Sequence, residues 1–409
     1  MPSPSAPEAA AHRDPNVLRW LGAYTASAVG DTVYFVALSW TAVQAGTPAQ
    51  AGVVTAVAAV PRALLMLGGG VLTDRYGPRP VVLGSSALRC LLVVVAAGML
   101  LVTSPGLWAL GAVALLFGTV DAVFLPAAGA LPARITAPGQ LARVHGMRGL
   151  ATRLATVLGG PLGGLGIALG GTAGAFGLAA LLIGGSVPVL WAVRVAEAPA
   201  GTPRPPDAVL SGLRDGLRHI ARHRVLRPLV LATALGDLGF VGPMNLGLTL
   251  LAREQGWGAA GMGWVLAGFG AGAGAASLLL ALRGRVPRAG LVIAAGELVG
   301  CLAIAGLAHA PSVVLATAVA LVIGLAAGLG GALRGALLQV TADPAYVGRV
   351  TSVAALAGFG LAPLTFPLVG AAVERWSAGP VFAVCAALCG LGVLVTLGSG
   401  PLRRAELPR

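Results

Sequence analysis

The sequence contains no lysine and few charged residues of either sign. Only 10% of its 409 residues are charged and 57% are hydrophobic, whereas an ordinary soluble domain has about 25% charged residues. So few polar side chains cannot cover the surface of a soluble globular enzyme. The high hydrophobicity also excludes a disordered chain. The composition therefore predicts a protein that lies mainly within a lipid bilayer.

Cysteine and histidine are also scarce, and neither forms a pattern typical of a reactive or metal-binding site. The four cysteines lie in apolar stretches, and the five histidines lie in predicted tails, loops or helix ends. No Ser/His/Asp, Cys/His or phosphate-binding motif stands out. We therefore expect no enzymatic activity, no metal site and no cofactor, and the lack of a Walker motif argues against direct use of ATP.

Twelve apolar stretches are each long enough to cross a bilayer, which takes about 20 residues. Lipid offers no hydrogen-bond partner to the backbone, so these stretches are predicted to be transmembrane helices and the protein to be all-α. The predicted spans are 18–43, 51–72, 81–102, 107–131, 146–169, 174–195, 228–251, 260–282, 291–308, 312–337, 350–373 and 381–397.

The arginines predict the orientation of these spans. Twelve crossings place both termini on one side, and most of the 27 arginines lie in the tails, connections and span ends of that side. The opposite side has only Arg253 and Arg375. Because basic residues remain in the cytoplasm, both termini are predicted to be cytoplasmic, in a multi-pass protein of the cell membrane. The net charge of +13 then reflects topology, and we expect no nucleic-acid partner.

The longest polar connection, 196–227, divides into two parts. Its first part is a Pro-rich linker. Its second part, 208–224, has apolar residues every three or four positions and arginines on a neighbouring face. This pattern predicts an amphipathic helix that lies on the cytoplasmic leaflet. The alternative is a solvated helix that docks on the neighbouring half of the protein.

The second half of the chain repeats the first. Asp31 stands in the segment ASAVGD and Asp237 in the similar segment ATALGD, and the same offset relates Pro161 to Pro367. A constant offset over several regions predicts two parallel, pseudo-symmetric six-helix halves around an axis along the membrane normal, with a substrate site between them near the midplane. The predicted parts are tail 1–17, first half 18–195, linker 196–227, second half 228–397 and tail 398–409.

The connection between the second and third spans carries the motif GGVLTDRYGPRP. It resembles the loop 2–3 signature of the major facilitator superfamily, G-x-L-x-D-R-x-G-R-[RK], although Pro78 and Pro80 depart from it. Gly77 permits a tight turn, and Asp74 at a helix end can accept charge-assisted hydrogen bonds. The resemblance implies the major facilitator fold and a loop that latches the two halves in one state. The alternative is a basic loop that serves topology alone. The residues of the predicted latch are Gly70, Asp74, Arg75, Gly77 and Arg79.

The fifth span contains GGPLGG, which is similar to the G-P-x-x-G-G signature of drug/proton antiporters with one residue fewer. Gly160, Pro161 and Gly164 form its predicted helix-bend motif; helix packing alone is the alternative. The Gly30–Asp31 pair, FLPA in the fourth span and LRDGLR before the seventh resemble the macrolide-efflux and enterobactin-exporter branch.

The resemblance implies a secondary active transporter that exports amphipathic small molecules, such as drugs or secondary metabolites, by alternating access coupled to protons. The expected partners are a small-molecule substrate, protons and the bilayer, and the protein is expected to be a monomer. The alternatives are an uptake permease of the same fold, or a polytopic membrane enzyme or sensor.

Insertion of a charged side chain into the bilayer costs about a few kcal/mol, so the charged residues within the spans are functional candidates. Asp31, Arg62 and Asp121 are predicted to form a cluster that binds and releases a proton as water access alternates, with Asp237 as the counterpart of Asp31 in the second half. The alternative is a permanent Asp31–Arg62 ion pair. Glu297 is expected to pair with an arginine of the cytoplasmic side, and a role in coupling is the alternative. The remaining charged residues within the spans are Arg89, Arg153 and Arg334.

Aromatic and other adaptable side chains in the first, fourth and seventh spans are candidates for the wall of a substrate cavity. Helix packing is their more frequent role. The candidates are Tyr34, Phe35, Trp40, Phe124, Phe240, Met244 and Asn245.

Overall fold

The computed structural model describes residues 13–65, 69–103, 106–195, 206–283, 287–343 and 346–406, and within these ranges all regular secondary structure is helical. The α-helices are α1 (Pro15–Ala45), α2 (Pro48–Leu65), α3 (Gly69–Tyr76), α4 (Pro78–Val102), α5 (Leu107–Ala130), α6 (Pro132–Ile135), α7 (Leu141–Trp191), α8 (Pro206–Arg222), α9 (Leu226–Gly242), α10 (Leu248–Glu254), α11 (Gly258–Arg283), α12 (Ala289–Leu307), α13 (Val313–Thr341), α14 (Val347–Trp376), α15 (Ala378–Gly398) and α16 (Gly400–Arg403).

Ten helical segments of the described ranges are long and apolar enough to cross a membrane. The 31-residue helix α1 lies outside this set. The 51-residue helix α7 leaves the helical conformation at Gly171, where φ is 64° and ψ is −170°. Only glycine adopts this conformation readily, so Gly171 divides α7 into two helical limbs that contain most of the predicted spans 146–169 and 174–195.

Local sequence sets several helix starts. The side chain of Asp14 accepts a hydrogen bond from the backbone N–H of Asn16 at 2.8 Å and so caps α1. Ser312 caps α13 in the same way, through the N–H of Leu315. Such caps supply an acceptor to N–H groups that have no partner within the helix.

The long helices form two bundles. In the first bundle, α1 packs on α7, α7 on α4, and α2 on α5. In the second bundle, α11 and α12 pack on α13, and α9 and α12 pack on α15. The two bundles meet where α2 packs on α14 and where α7 packs on α11.

Glycine allows the close approach of the two bundles. A Cβ atom at Gly52 of α2 would lie 2.6 Å from the carbonyl oxygen of Phe366 in α14. A Cβ atom at Gly370 of α14 would collide with the backbone of Pro48. Small residues are used in this way between membrane helices because the backbones then gain van der Waals contact.

Polar contacts join the bundles at the helix ends that lie away from the chain termini. The hydroxyl groups of Ser39 and Thr249 are 2.7 Å apart. The backbone N–H of Ala49 donates to Glu374 at 3.1 Å, and the guanidinium of Arg253 donates to a backbone carbonyl of α1. The bundles are therefore held together at this end.

Helix α8 lies in the polar connection between the bundles and docks on α14 and α9. Gly216 faces the backbone of Arg349, the ring of His219 stacks on Tyr346 at 4.5 Å, and Ile220 is buried. The sequence predicted this amphipathic helix and favoured a position on the membrane leaflet. The contacts with α14 agree with the alternative, a helix that docks on a neighbouring bundle, and the position on the leaflet stays a prediction.

Candidate functional site

Four charged side chains meet inside the first bundle, and we call them the first charge cluster: Asp31, Arg62, Arg89 and Asp121. One guanidinium nitrogen of Arg89 donates to both carboxylate oxygens of Asp31 at 2.8 Å and to Asp121 at 3.3 Å. Arg62 pairs with the other oxygen of Asp121 at 2.5 Å. The structure thus brings together the three residues that the sequence grouped.

Arg89 was a candidate from the sequence only as a charge within a span, and its place in this cluster was not predicted. The sequence predicts a pair of Asp31 with Arg62, whereas Asp31 pairs with Arg89, and Arg62 pairs with Asp121. Arg89 and Asp121 each lie about three turns from the ends of α4 and α5 that share one side of the bundle. Their matching depth is a signal that the sequence contained. The pairing also depends on the rotation of each helix about its axis, and the sequence contained no signal for that rotation.

The first charge cluster is neutral and closely packed. The side chain of Arg89 is fully buried, and that of Asp121 is 4% exposed. The ring of Phe124 lies 3.6 Å from the Arg89 guanidinium, and Ser27 accepts a hydrogen bond from it at 2.9 Å. Two carboxylates and two guanidinium groups therefore compensate each other in a region that is otherwise apolar.

A central cavity of about 660 Å³ lies between the two bundles. Four of the predicted wall residues, Phe35, Phe240, Met244 and Asn245, line it. Arg62 also lines it, so the first charge cluster reaches the cavity through this side chain. The other polar residues on the wall are Thr32, Ser39, Thr55, Thr156, Asp237 and Thr249.

Three predicted wall residues lie elsewhere. Tyr34 is fully buried and stacks on Phe117 at a centroid distance of 3.8 Å. Trp40 is buried in an apolar cluster, and Phe124 covers Arg89. The wall residues of α1 recur every three or four positions around Phe35, so Tyr34 and Trp40 face other helices.

The seventh predicted span is interrupted at the cavity. Between α9 and α10, a π-helical turn runs from Pro243 to Gly247. It places Met244 and Asn245 on the cavity wall, and the Asn245 amide donates to the carbonyl of Val241 at 2.8 Å. Proline lacks the N–H that a continuous α-helix requires, and π-turns within helices are frequent at functional sites.

Asp237 lies between the central cavity and a second, smaller cavity inside the second bundle. We call the smaller one the side chamber; its volume is about 190 Å³, and Asp237, Glu297, Arg334, Cys301 and Cys389 are on its wall. Arg334 pairs with Glu297, which confirms the expected pairing of Glu297 with an arginine. Asp237 has no ion-pair partner among the described residues.

The loop motif lies at the terminus-bearing side of the first bundle. Gly77 has φ of 82° and precedes α4, as expected for a tight turn. Arg79 donates to the backbone carbonyl of Trp191 at 2.7 Å, which joins the start of α4 to the end of α7. Gly70 lies in α3, and the Arg75 guanidinium lies over the ring of the adjacent Tyr76. The side chain of Asp74 is outside the part of the chain that the structure describes.

The helix-bend motif lies at the contact between α7 and α11. A Cβ atom at Gly160 would lie 2.6 Å from the Cβ of Leu266, and one at Gly164 would collide with the backbone of Ala259. Pro161 stands between these glycines within α7, whose non-helical residue is Gly171. The motif therefore contributes to the close contact between the two bundles.

Comparisons with known proteins agree with this architecture. A model of the Major Facilitator Superfamily matches residues 20–363. The multidrug efflux pump Tap of Mycobacterium tuberculosis is 32% identical over 223 residues, which are 50% of this chain and 50% of that protein. Tap of Mycobacterium bovis gives the same values. The chain thus spans about half the length of the curated relatives it matches.

Several solved structures superpose on almost the whole chain. The nucleoside transporter NupG has a TM-score of 0.74 at 13% identity and covers 94% of this chain and 99% of its own. A D-xylose–proton symporter has a TM-score of 0.71 at 12% identity over 95% and 97%. The human organic anion transporter MFSD10 (TETRAN) has a TM-score of 0.66 at 16% identity over 94% and 100%. At these identities the likeness shows a shared fold alone.

Proposed function

Because the chain belongs to the Major Facilitator Superfamily, we propose that it exports amphipathic small molecules across the cell membrane in exchange for protons. Family and fold make it a membrane transporter rather than an enzyme. The observation that carries the proposal is the central cavity, which lies between the two bundles and is mainly apolar. Such a cavity suits an alternating-access mechanism, in which the two bundles rock about a shared site.

The proposed topology has twelve crossings in two parallel six-helix halves, with both termini in the cytoplasm. The ten apolar segments support it, together with α1 and the division of α7 at Gly171. The concentration of arginine on the side of the termini supports the orientation. In this orientation, the bundles touch at the outer ends of the helices, and the described conformation faces inward.

The wall of the central cavity favours an amphipathic cargo. Phe35, Phe240, Phe269 and Met244 supply aromatic and adaptable apolar surface, and Asn245 supplies a polar contact. Pockets of this size with few polar groups bind drug-sized molecules. The similarity to a multidrug efflux pump supports export rather than uptake.

Proton coupling is assigned to the carboxylates within the spans. Asp31 and Asp121 both pair with Arg89, so a proton taken up by either would weaken contacts among three helices. Asp237 has no such pair within the described ranges and faces the central cavity, where substrate and proton can compete for it. The loop motif with Asp74 and Gly77 is proposed to act as the latch that holds and releases the two halves.

Inverted membrane vesicles from cells that express the protein test this function with ethidium as the probe. We expect respiration to drive ethidium into the vesicles, an uncoupler to abolish the accumulation, and Asp237→Asn to reduce it to the level of empty vesicles. The matched control is Asp215→Asn, which makes the same change at a half-exposed carboxylate of α8 that pairs with Arg349 and lines neither cavity; it should accumulate ethidium as the wild type does. Accumulation that resists both the uncoupler and Asp237→Asn would overturn the proposal.

A further inference from the structure

The side chamber holds an unequal number of charges. Among the residues that the structure describes, its wall carries two carboxylates, Asp237 and Glu297, but one guanidinium, that of Arg334. The first charge cluster holds two of each. With both carboxylates ionised, the side chamber has a net charge of −1 inside the proposed membrane region, where an uncompensated charge is expensive.

Glu297 is only half satisfied. Its Oε1 accepts from Arg334, whereas Oε2 is buried and has no hydrogen-bond partner among the described residues. A buried carboxylate oxygen without a donor is strongly unfavourable. Cys301 of α12 and Cys389 of α15 are the other titratable groups on the wall, and the Cys389 thiol donates to the carbonyl of Gly236. A proton or a water molecule is the donor that Oε2 lacks.

The side chamber also connects Glu297 to the central cavity. Asp237 lines both spaces, so a proton that reaches Asp237 from the central cavity lies on the wall that Glu297 shares. A volume of about 190 Å³ has room for water, and Asp237, Glu297 and Arg334 on its wall supply the polar partners that a buried water requires.

We propose that the side chamber is a proton-holding site in which Asp237 and Glu297 share one proton, while Arg334 pairs with whichever carboxylate is ionised. This proposal rests on the proton coupling proposed above and names its site. In the described arrangement Arg334 pairs with Glu297, and the proton belongs to Asp237. Arg334 is thus a positioning residue, because it decides which carboxylate is neutral.

The transfer within the side chamber moves one proton and no electrons. The Asp237 carboxylic acid gives its proton to a water molecule, and that water gives one of its protons to Oε2 of Glu297. The O–H bond of Asp237 breaks and an O–H bond of Glu297 forms. Arg334 then moves its hydrogen bond from Glu297 to Asp237. Reversal of these steps returns the proton to Asp237, which lines the central cavity.

Infrared spectroscopy of the purified full-length protein tests this site without any substrate. The probe is the carboxylic acid C=O band that disappears between neutral and alkaline pH and shifts in D2O. Exposed carboxylates are already ionised at neutral pH, because their ordinary pKa values are about 4. We expect the wild type and the control Asp215→Asn to show the band.

Substitution of a carboxylate and substitution of Arg334 should change the carboxylic acid band in opposite directions. Glu297→Gln and Asp237→Asn should each lose the band, because the remaining carboxylate pairs with Arg334 and the site is neutral without a proton. Arg334→Gln should about double it. A folded Glu297→Gln protein, eluting as one peak in size exclusion, that keeps the full band would overturn the shared proton.

Transport measurements separate this inference from the function on which it rests. If Glu297→Gln loses the band and uphill ethidium transport but keeps ethidium exchange at equal pH, both the site and its coupling role are supported. If the wild type shows the band but never transports against a gradient, the proposed function fails and the site stands. If uphill transport persists in Glu297→Gln at the wild-type rate, the site has no part in coupling and the inference fails.

Discussion

Arg89 shows how a fully buried charge is stabilised in this protein. Its guanidinium lies between Asp31 and Asp121 and under the ring of Phe124. The desolvation of each charge is offset by close partners of opposite sign, and removal of one member leaves the others uncompensated. The charges of the first charge cluster therefore depend on one another.

The substitution Arg89→Met should destabilise the folded protein by about 3–5 kcal/mol, the usual cost of breaking a buried ion pair. Two carboxylates would then share the single guanidinium of Arg62. The measurement is thermal unfolding in detergent, in which the fraction of protein that remains monodisperse is recorded at each temperature.

Arg62→Met is the matched control for this measurement. Arg62 is 25% exposed at the central cavity, and its loss leaves Asp121 with Arg89. Its melting temperature should fall less than that of Arg89→Met. Equal melting temperatures for Arg89→Met and the wild type would contradict the account of this cluster.

The sequence located the charged residues but did not determine their partners. Their positions within apolar stretches identified Asp31, Arg62, Asp121 and Asp237 as candidates. Which arginine meets which aspartate depends on helix rotations of a fraction of a turn, and these are set by packing over the whole bundle. For the same reason, Tyr34 could not be distinguished from its neighbour Phe35.

Among the helices, glycine residues occupy both a sharp turn of the chain and a close contact between two helices. Gly171 turns the two limbs of α7. Gly164 of the same helix lets α7 reach the backbone of α11. Glycine thus adopts a backbone conformation that other residues avoid at one position, and it leaves room for a neighbouring helix at the other.

Gly171→Ala should destabilise the protein by about 1–3 kcal/mol, because its backbone conformation is nearly restricted to glycine. Gly170→Ala is the control, since a Cβ there meets no atom within 4 Å and φ is not positive. Differential thermal unfolding of the two variants checks the difference. If Gly170→Ala were the less stable variant, the turn would not lie at Gly171.

Gly164→Ala should push α7 away from α11 and loosen the end at which the bundles meet. Spin labels at Trp108→Cys and Trp376→Cys, two exposed positions of opposite bundles, report the separation by pulsed electron paramagnetic resonance. We expect a longer and broader distance distribution than in the wild type. Gly149→Ala, at a site of α7 with open space around it, should leave the distribution unchanged. An unchanged distribution in Gly164→Ala would refute the role of this glycine.

The lengths of the apolar stretches predicted the positions of several helices, but they did not predict the details of backbone hydrogen bonding. The predicted span 107–131 corresponds to Leu107–Ala130, and 81–102 lies within Pro78–Val102. The π-turn at Pro243 changes hydrogen bonding without changing hydropathy, so the hydropathy pattern contained no sign of it. The docking of α8 on α14 likewise depends on a partner surface that an amphipathic pattern does not specify.

Across the whole molecule, the two bundles differ in their charges. Among the described residues, the first holds two carboxylates paired with two guanidinium groups, and the second holds Asp237 beside a chamber with one carboxylate in excess. The repeat in the sequence predicts two similar halves. The difference follows from a few substitutions within it, such as the presence of Glu297 and Arg334 in the second half.

If substrate and proton move in opposite directions, proteoliposomes that contain a pH-sensitive dye will report the exchange. Ethidium, which carries a permanent charge and no exchangeable acid, is added outside without an imposed pH gradient. The protein can be inserted in either direction in the liposome membrane, and in both cases ethidium that enters the lumen is exchanged for protons that leave it. We predict that the lumen becomes more alkaline as ethidium enters, and that protein-free liposomes show no change. A lumen that becomes more acidic, or that keeps its pH while ethidium enters through the protein, would contradict the account.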